Sequence, residues 1–251
     1  MAEEIQTVQA TKEEPAATET EAQQVAARQA KPRRKPSTPK AEGPTASAGD
    51  RPETLLFDKY SYNVEIHDPS LKNYVNLKPI AYPTTYRRGS QKDFSKAEIN
   101  IVERLENTLM RGGTGGRIGG HVIRTKGRLQ GKKLKVMKIV EESFELISRQ
   151  TGKNPLQVLI NALEATAPIE DTTRVVYGGI TSNVAVDISA SRRLDVALRN
   201  IAMATVLGSF SAKKTIAQAL ATELSMAANF DVNSYAIKRR NEIERMARSA
   251  K

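Results

Sequence analysis

The amino-acid sequence predicts a mainly α protein: a single six-helix domain with one protruding β-hairpin, preceded by a disordered N-terminal tail. Three observations lead there. Beyond residue 93 the apolar residues recur at helical spacing, with capping residues at the expected ends. One stretch alone, about residues 173–188, switches to β-rich runs. Residues 1–52 hold Ile5, Val8 and Val25 as their only branched apolar side chains. That is too little apolar surface to offset the entropy of ordering the segment.

The tail, residues 1–52, is rich in Ala, Glu, Gln, Thr, Pro and Lys. Within it, Lys31-Pro32-Arg33-Arg34-Lys35-Pro36 is a basic, proline-spaced cluster. Tracking along RNA, a localisation signal and a solvated linker are all open readings of it. The next segment, 53–92, carries five of the seven tyrosines and is interrupted by Pro69, Pro79 and Pro83, which predicts an extended stretch wrapping the core. Tyr86-Arg87-Arg88-Gly89 joins a stacking ring to two cations and is a candidate RNA contact, with a core tyrosine beside solvated arginines as the alternative.

Residues 93–251 form the helical domain. Ser95-Lys96-Ala97-Glu98 has the form of a capping box ahead of Ile99, Val102, Leu105 and Leu109. A second helix starts near Lys132 and ends near Thr151-Gly152. Asn154-Pro155 supplies an N-cap and a first-turn proline for a third, which Pro168 ends. Arg174-Val175-Val176-Tyr177 and Val184-Ala185-Val186-Asp187-Ile188 are the hairpin runs, separated by Gly178-Gly179 and a Thr181-Ser182-Asn183 tip. Helices resume from about Ser191 to Leu207, Ser211 to Asn229 and Ser234 to the end. A lone hairpin is marginally stable, so this one needs a partner surface.

Charge points to the partner. Residues 51–251 carry 32 basic and 20 acidic side chains, a net of +12, while residues 1–50 are close to neutral. Between Arg111 and Val140 stand nine Lys or Arg, eight of the fifteen glycines and no carboxylate. Glycine allows close backbone approach and the missing carboxylates remove repulsion from a polyanion, which predicts RNA. Four predicted helices also open on cations, against the helix dipole. These are Lys132, Lys133 and Lys135; Arg192 and Arg193, with Arg199 continuing that row; Lys213 and Lys214; and Lys238, Arg239 and Arg240. Helix N-termini facing phosphates would account for the pattern.

Tests for enzyme chemistry fail. The glycine-rich run lacks the phosphate-loop pattern, since position 126 is lysine where glycine is required and Lys133 stands where Ser or Thr is required. The dinucleotide fingerprint fails at Ile118. His67 and His121 have no ligand-spaced companions and cysteine is absent, so neither a metal nor another cofactor is expected. The chain is expected to be non-enzymatic and cytoplasmic, with no membrane span and no secretory signal.

Several motifs carry a resemblance. Gly131-Lys132-Lys133, five residues, Ile139-Val140, two residues and Ser143 is similar to the signature of the small-subunit ribosomal protein seven family. Ile101-Val102-Glu103-Arg104-Leu105, Asn154-Pro155-Leu156-Gln157-Val158-Leu159 and Glu170-Asp171-Thr172-Thr173-Arg174 resemble its archaeal and eukaryotic branch. So do Ala185-Val186-Asp187-Ile188 with Arg192-Arg193, and Asn233-Ser234-Tyr235-Ala236-Ile237-Lys238. The resemblance runs over about residues 58–251. It implies a structural constituent of the small ribosomal subunit, a primary rRNA-binding protein that nucleates assembly of the head, the 3′ major domain. Small-subunit rRNA is the implied partner, with neighbouring proteins of head and platform.

It also implies that hairpin and last helix lie near the E-site tRNA and the mRNA exit channel. The rRNA-facing expectation falls on Lys132, Lys133, Lys135, Arg192, Arg193, Arg199, Lys213, Lys214, Arg87 and Arg88. The tRNA- or mRNA-proximal one falls on Arg174, Tyr177, Gly178, Gly179, Thr181, Asn183, Lys238, Arg239 and Arg240. Two departures stand out: the twenty residues from Arg111 to Gln130, where relatives have a handful, and a neutral hairpin tip where relatives often carry arginines. Free RNA or DNA chaperoning remains the alternative function.

Overall fold

A computed structural model describes residues 54–85, 95–113, 122–123 and 128–251. Chain contacts separate Met1–Asp50 from Arg51–Lys251, and the described residues all belong to the second unit. The expected disordered tail, Arg87, Arg88 and most of the Arg111–Gln130 insertion lie outside the described residues.

Among the described residues seven helices and one hairpin follow each other: α1 (Pro69–Lys72), a 3-10 turn (Ser95–Glu98), α2 (Ile101–Met110), α3 (Lys133–Thr151), α4 (Pro155–Thr166), β1 (Glu170–Tyr177), β2 (Ile180–Asp187), α5 (Ala190–Ser209), α6 (Ile216–Ala228) and α7 (Tyr235–Ser249). The fold class is the one the sequence predicts, with six long helices and a short α1 added in the tyrosine-rich segment.

Helix α6 sits at the centre, packed on α3, α4, α5 and α7. Its buried Ala217, Ala219, Ala221 and Ala227 let those helices approach, while Leu220 and Leu224 fill the space between. Phe144 of α3 is fully buried and meets Phe57 and Tyr60 edge-on, each with ring centres 6.2 Å away. The segment before α1 is further tied down by side chains of α3 and α4. Lys59 pairs with Glu141 and Glu145, Gln157 accepts from the Glu65 amide, and Glu164 accepts from the amides of His67 and Asp68.

Three element boundaries differ from expectation. Ser95–Glu98 forms only a 3-10 turn, and α2 starts at Ile101 with Asn100 as its cap, accepting from the Val102 amide at 3.0 Å. Asn100 prevails because its own amide also donates to Lys78 O, and Ile101 N donates to Asn76 O, so tertiary contacts fix the helix start there. Helix α6 begins at Ile216, not Ser211, because Thr215 and Gln218 form a complete capping box. The hairpin turn is Gly178-Gly179 alone, with φ of +57° and +81°, values both turn positions of this two-residue type demand. Thr181, Ser182 and Asn183 belong to β2, opposite Val176, Val175 and Arg174.

A buried acidic pair lies on α2. Glu103 Oε1 accepts from Lys133, from the Thr85 amide and from the Thr85 hydroxyl. Glu103 Oε2 and both Glu106 oxygens are buried without a hydrogen-bond partner among the described residues. Burial pushes the Glu106 carboxyl up to about 8, with Glu103 adding to the rise against the pull of Lys133. The folded chain therefore keeps a proton at Glu106 that the unfolded chain loses near pH 4.5. Stability from this group is intact at low pH and declines as pH rises through that window towards about 8. Glu106→Gln, which keeps the shape without the charge, is expected to flatten the melting temperature between pH 5 and 8 and to raise it at pH 8. Identical pH profiles for variant and wild type in calorimetry would contradict this.

Candidate RNA-binding surface

An antiparallel pair alternates its side chains between two faces, and here both faces meet solvent beyond the root. Cross-strand pairing puts Tyr177 with Ile180, Val175 with Ser182 and Thr173 with Val184 on one face. The other carries Val176 with Thr181, Arg174 with Asn183 and Thr172 with Ala185. Tyr177 is 87% exposed and Ile180 76%, so the outer end presents an apolar, uncharged surface. Arg174 is the one charge between Thr172 and Ala185. Beyond Arg174 the tip offers RNA no charge. It can stack on bases and hydrogen-bond through Thr181 and Asn183.

The root is held from two sides. From α5, Arg193 donates to Pro168 O at 3.2 Å, pairs with Asp68 at 2.9 Å and donates to the Ser70 hydroxyl, leaving its side chain 11% exposed. Burial works to raise the Asp68 carboxyl, but hydrogen bonds from Ser70 and the Arg193 guanidinium prevail and hold it below its ordinary value. From α7, Arg240 binds Glu244 at 3.0 Å and Ala165 O at 3.0 Å, and Glu244 also accepts from the Ile169 amide. Lys251 pairs with Glu170, and Arg192 with Asp171 at 3.4 Å. Helix α7 itself is placed by Glu223 of α6, nearly buried, which accepts from the Ser234 hydroxyl at 2.7 Å and the Ala236 amide at 2.9 Å.

The cations singled out by the helix dipole thus fall into three groups. Lys133, bound to Glu103, Arg193 and Arg240 are committed within the chain. Arg239 pairs with Glu242 on its own helix and Arg192 keeps one long pairing while 66% exposed. Lys132, Lys135, Arg199, Lys213, Lys214 and Lys238 are exposed and make no ion pair among the described residues. Lys213 and Lys214 precede the Thr215 cap and so lie outside the first turn of α6.

The open cations lie along helix faces. Lys132, Lys135 and Lys138 follow each other at three-residue steps at the start of α3, beside the 67% exposed Leu134. On α7, Lys238, Arg245 and Arg248 share a face, and all three are exposed. Lys138, Arg245 and Arg248 were missed by attention to helix starts. A helical-face count of unpaired basic residues would have found them. Rows of this kind have the spacing and charge to follow a phosphate backbone but not to read bases.

The division makes a clear expectation. Arg240→Ala removes the guanidinium's three hydrogen bonds and leaves Ala165 O and part of Glu244 unpaired at the hairpin root, a loss of about 1–3 kcal/mol. Its melting temperature should drop and protease should cut the hairpin faster, whereas unchanged melting and cleavage would show the root is held otherwise.

Residues 71–251 match the family model described as Ribosomal protein S7p/S5e. That span takes in the end of α1, all six long helices, the hairpin, both clamping arginines Arg193 and Arg240, and the open cations of α3, α5 and α7, while Asp68 and Ser70, which hold Arg193, precede it. No helix among the described residues is long and apolar enough to cross a membrane. The chain belongs to the S7p/S5e family of small-subunit ribosomal proteins, which bind rRNA as structural components of the ribosome and are not enzymes.

Proposed function

We propose that the chain is a primary rRNA-binding protein that nucleates assembly of the head of the small subunit, on the 3′ major domain. Its hairpin and last helix would then stand near the E-site tRNA and the mRNA exit channel, with neighbouring proteins of head and platform around it, in a cytoplasmic ribosome. The observation that carries this reading is the separation of committed from open cations. A chain that commits Lys133, Arg193 and Arg240 to its own architecture still presents Lys132, Lys135, Lys138, Arg199, Lys213, Lys214 and Lys238 to solvent. Excess cationic surface on rigid helices fits a folded, phosphate-dense partner recognised by shape.

The hairpin supports a second contact of different chemistry. Its clamped root and exposed, neutral end give a rigid arm whose Tyr177 can stack where a cationic arm would bind phosphate indiscriminately. Arg174 and Asn183, paired across the strands, add one charged and one amide contact.

Two measurements test the reading. Small subunits reconstituted without this chain should lack several head proteins while body proteins assemble, and a complete head in its absence would refute nucleation. In subunits carrying Tyr177→Ala with Ile180→Ala, rRNA binding should be preserved while E-site tRNA affinity falls by about 1–3 kcal/mol, the typical worth of one base–aromatic stack. Unaltered tRNA binding would place the hairpin away from it.

A further inference from the structure

A cleft of about 480 Å³ opens between α2 and α5. The half-buried Ile99 and Met203 give it an apolar floor, backed by the buried Leu198 and Ala202. Its polar lining holds four cations, Lys96, Arg104, Arg111 and Arg199, against one carboxylate, Asp195. That carboxylate is fully engaged, by Lys96 at 2.7 Å and by Arg104 at 3.0 Å. Burial works to raise the Asp195 carboxyl, but these two cations hold it below its ordinary value, so it stays charged and fixed. Arg104 also donates to Tyr74 O at 3.1 Å and is only 6% exposed, which makes this wall of the cleft rigid. Arg111 and Arg199 are exposed at the cleft and make no ion pair among the described residues. The Asn107 amide lines the same space.

These features differ from those of the open cationic rows. A row of lysines on a helix offers charge but no concavity, and suffices for a phosphate backbone. Here an apolar floor, an amide and two unpaired guanidinium groups share one cleft, of the size that small ligands occupy. Bases inside a duplex are stacked and cannot enter it. A nucleotide in a single-stranded bulge or loop is splayed out and can offer both its ring face and its edge.

We propose that this cleft takes one unpaired nucleotide of the bound RNA, its base on the floor of Ile99 and Met203 and its adjoining phosphates on Arg111 and Arg199. Asn107 supplies a donor and an acceptor for the base edge. The inference rests on the rRNA-binding reading and adds a base pocket to a surface otherwise described by phosphate contacts.

The test uses the full chain and a small-subunit rRNA transcript. Ultraviolet crosslinking with mass-spectrometric mapping should place nucleotide adducts on the peptides holding Arg111 and Arg199 to Met203. Arg199→Ala should lower the salt slope of binding by about 1, the loss of one phosphate contact. Met203→Glu, which puts a carboxylate on the floor, should weaken binding at least about tenfold, consistent with a lost base stack. Because Met203 also touches Tyr235, melting of this variant is checked alongside, and the exposed Arg199→Glu serves as a second variant that leaves the packing alone. Tight binding with adducts confined to the α3 row, and wild-type affinity in Arg199→Glu, would overturn the cleft while leaving rRNA binding intact. Failure of the wild-type chain to bind the transcript would overturn both.

Discussion

A two-stranded hairpin with solvent on both faces has no core of its own, so its direction depends on how its root is held. Arg193 and Arg240 do this from opposite helices, each satisfying a backbone carbonyl just before the strands begin, at Pro168 and at Ala165. The rest of the architecture serves those two arginines. Asp68 and Ser70 fix Arg193 and thereby anchor the start of α1 against α5. Glu223 fixes the start of α7, and α7 brings Arg240 and Glu244 to the root. A buried carboxylate in the central helix therefore sets the aim of an arm at the molecular surface.

This arrangement explains why cations at helix starts are tolerated. Lys133 and Arg193 oppose the dipoles of α3 and α5, at a cost of a few tenths of a kcal/mol to about 1 each. Both are compensated by ion pairs to weakly exposed carboxylates, Glu103 and Asp68. Lys213 and Lys214 stand just before the Thr215 cap of α6, and Lys238 is the fourth residue of α7, so none of them occupies the first helical position. Internal ion pairs therefore account for Lys133 and Arg193, while Lys132 and Lys135 at the start of α3 stay open. The cations that remain open on the faces are the ones an RNA partner can use.

Much of the fold was legible because its signals are local. The Asn154-Pro155 start and the Gly152 stop each reflect a backbone preference of the residues concerned, and the structure places them as read, while of the expected hairpin connection only Gly178-Gly179 forms the turn. The role of each cation was not legible, since its partner is distant in sequence. Arg193 meets Asp68 across 125 residues, and Lys133 meets Glu103 across 30. No local pattern reports such a pairing. The start of α2 was misread for the same reason: Ser95–Glu98 has the right local residues, and Asn100 wins through contacts to Lys78 and the segment before it. Of the candidate site, the open members Lys132, Lys135 and Arg199 were found by pattern, whereas the committed ones could be separated from them only by seeing the fold.

The division between clamping and RNA-facing cations is tested most directly by comparing Arg193→Ala with Lys135→Ala in one assay, the salt dependence of rRNA binding, with melting recorded alongside. Loss of Lys135 should lower the slope of log affinity against log salt by about 1 and leave melting unchanged. Loss of Arg193 should lower the melting temperature and leave the slope as it was, since a guanidinium already bound to Asp68 and Pro168 O releases no counterion from RNA. A slope that falls for Arg193 while melting stays constant would contradict the division, and would return that arginine to the RNA.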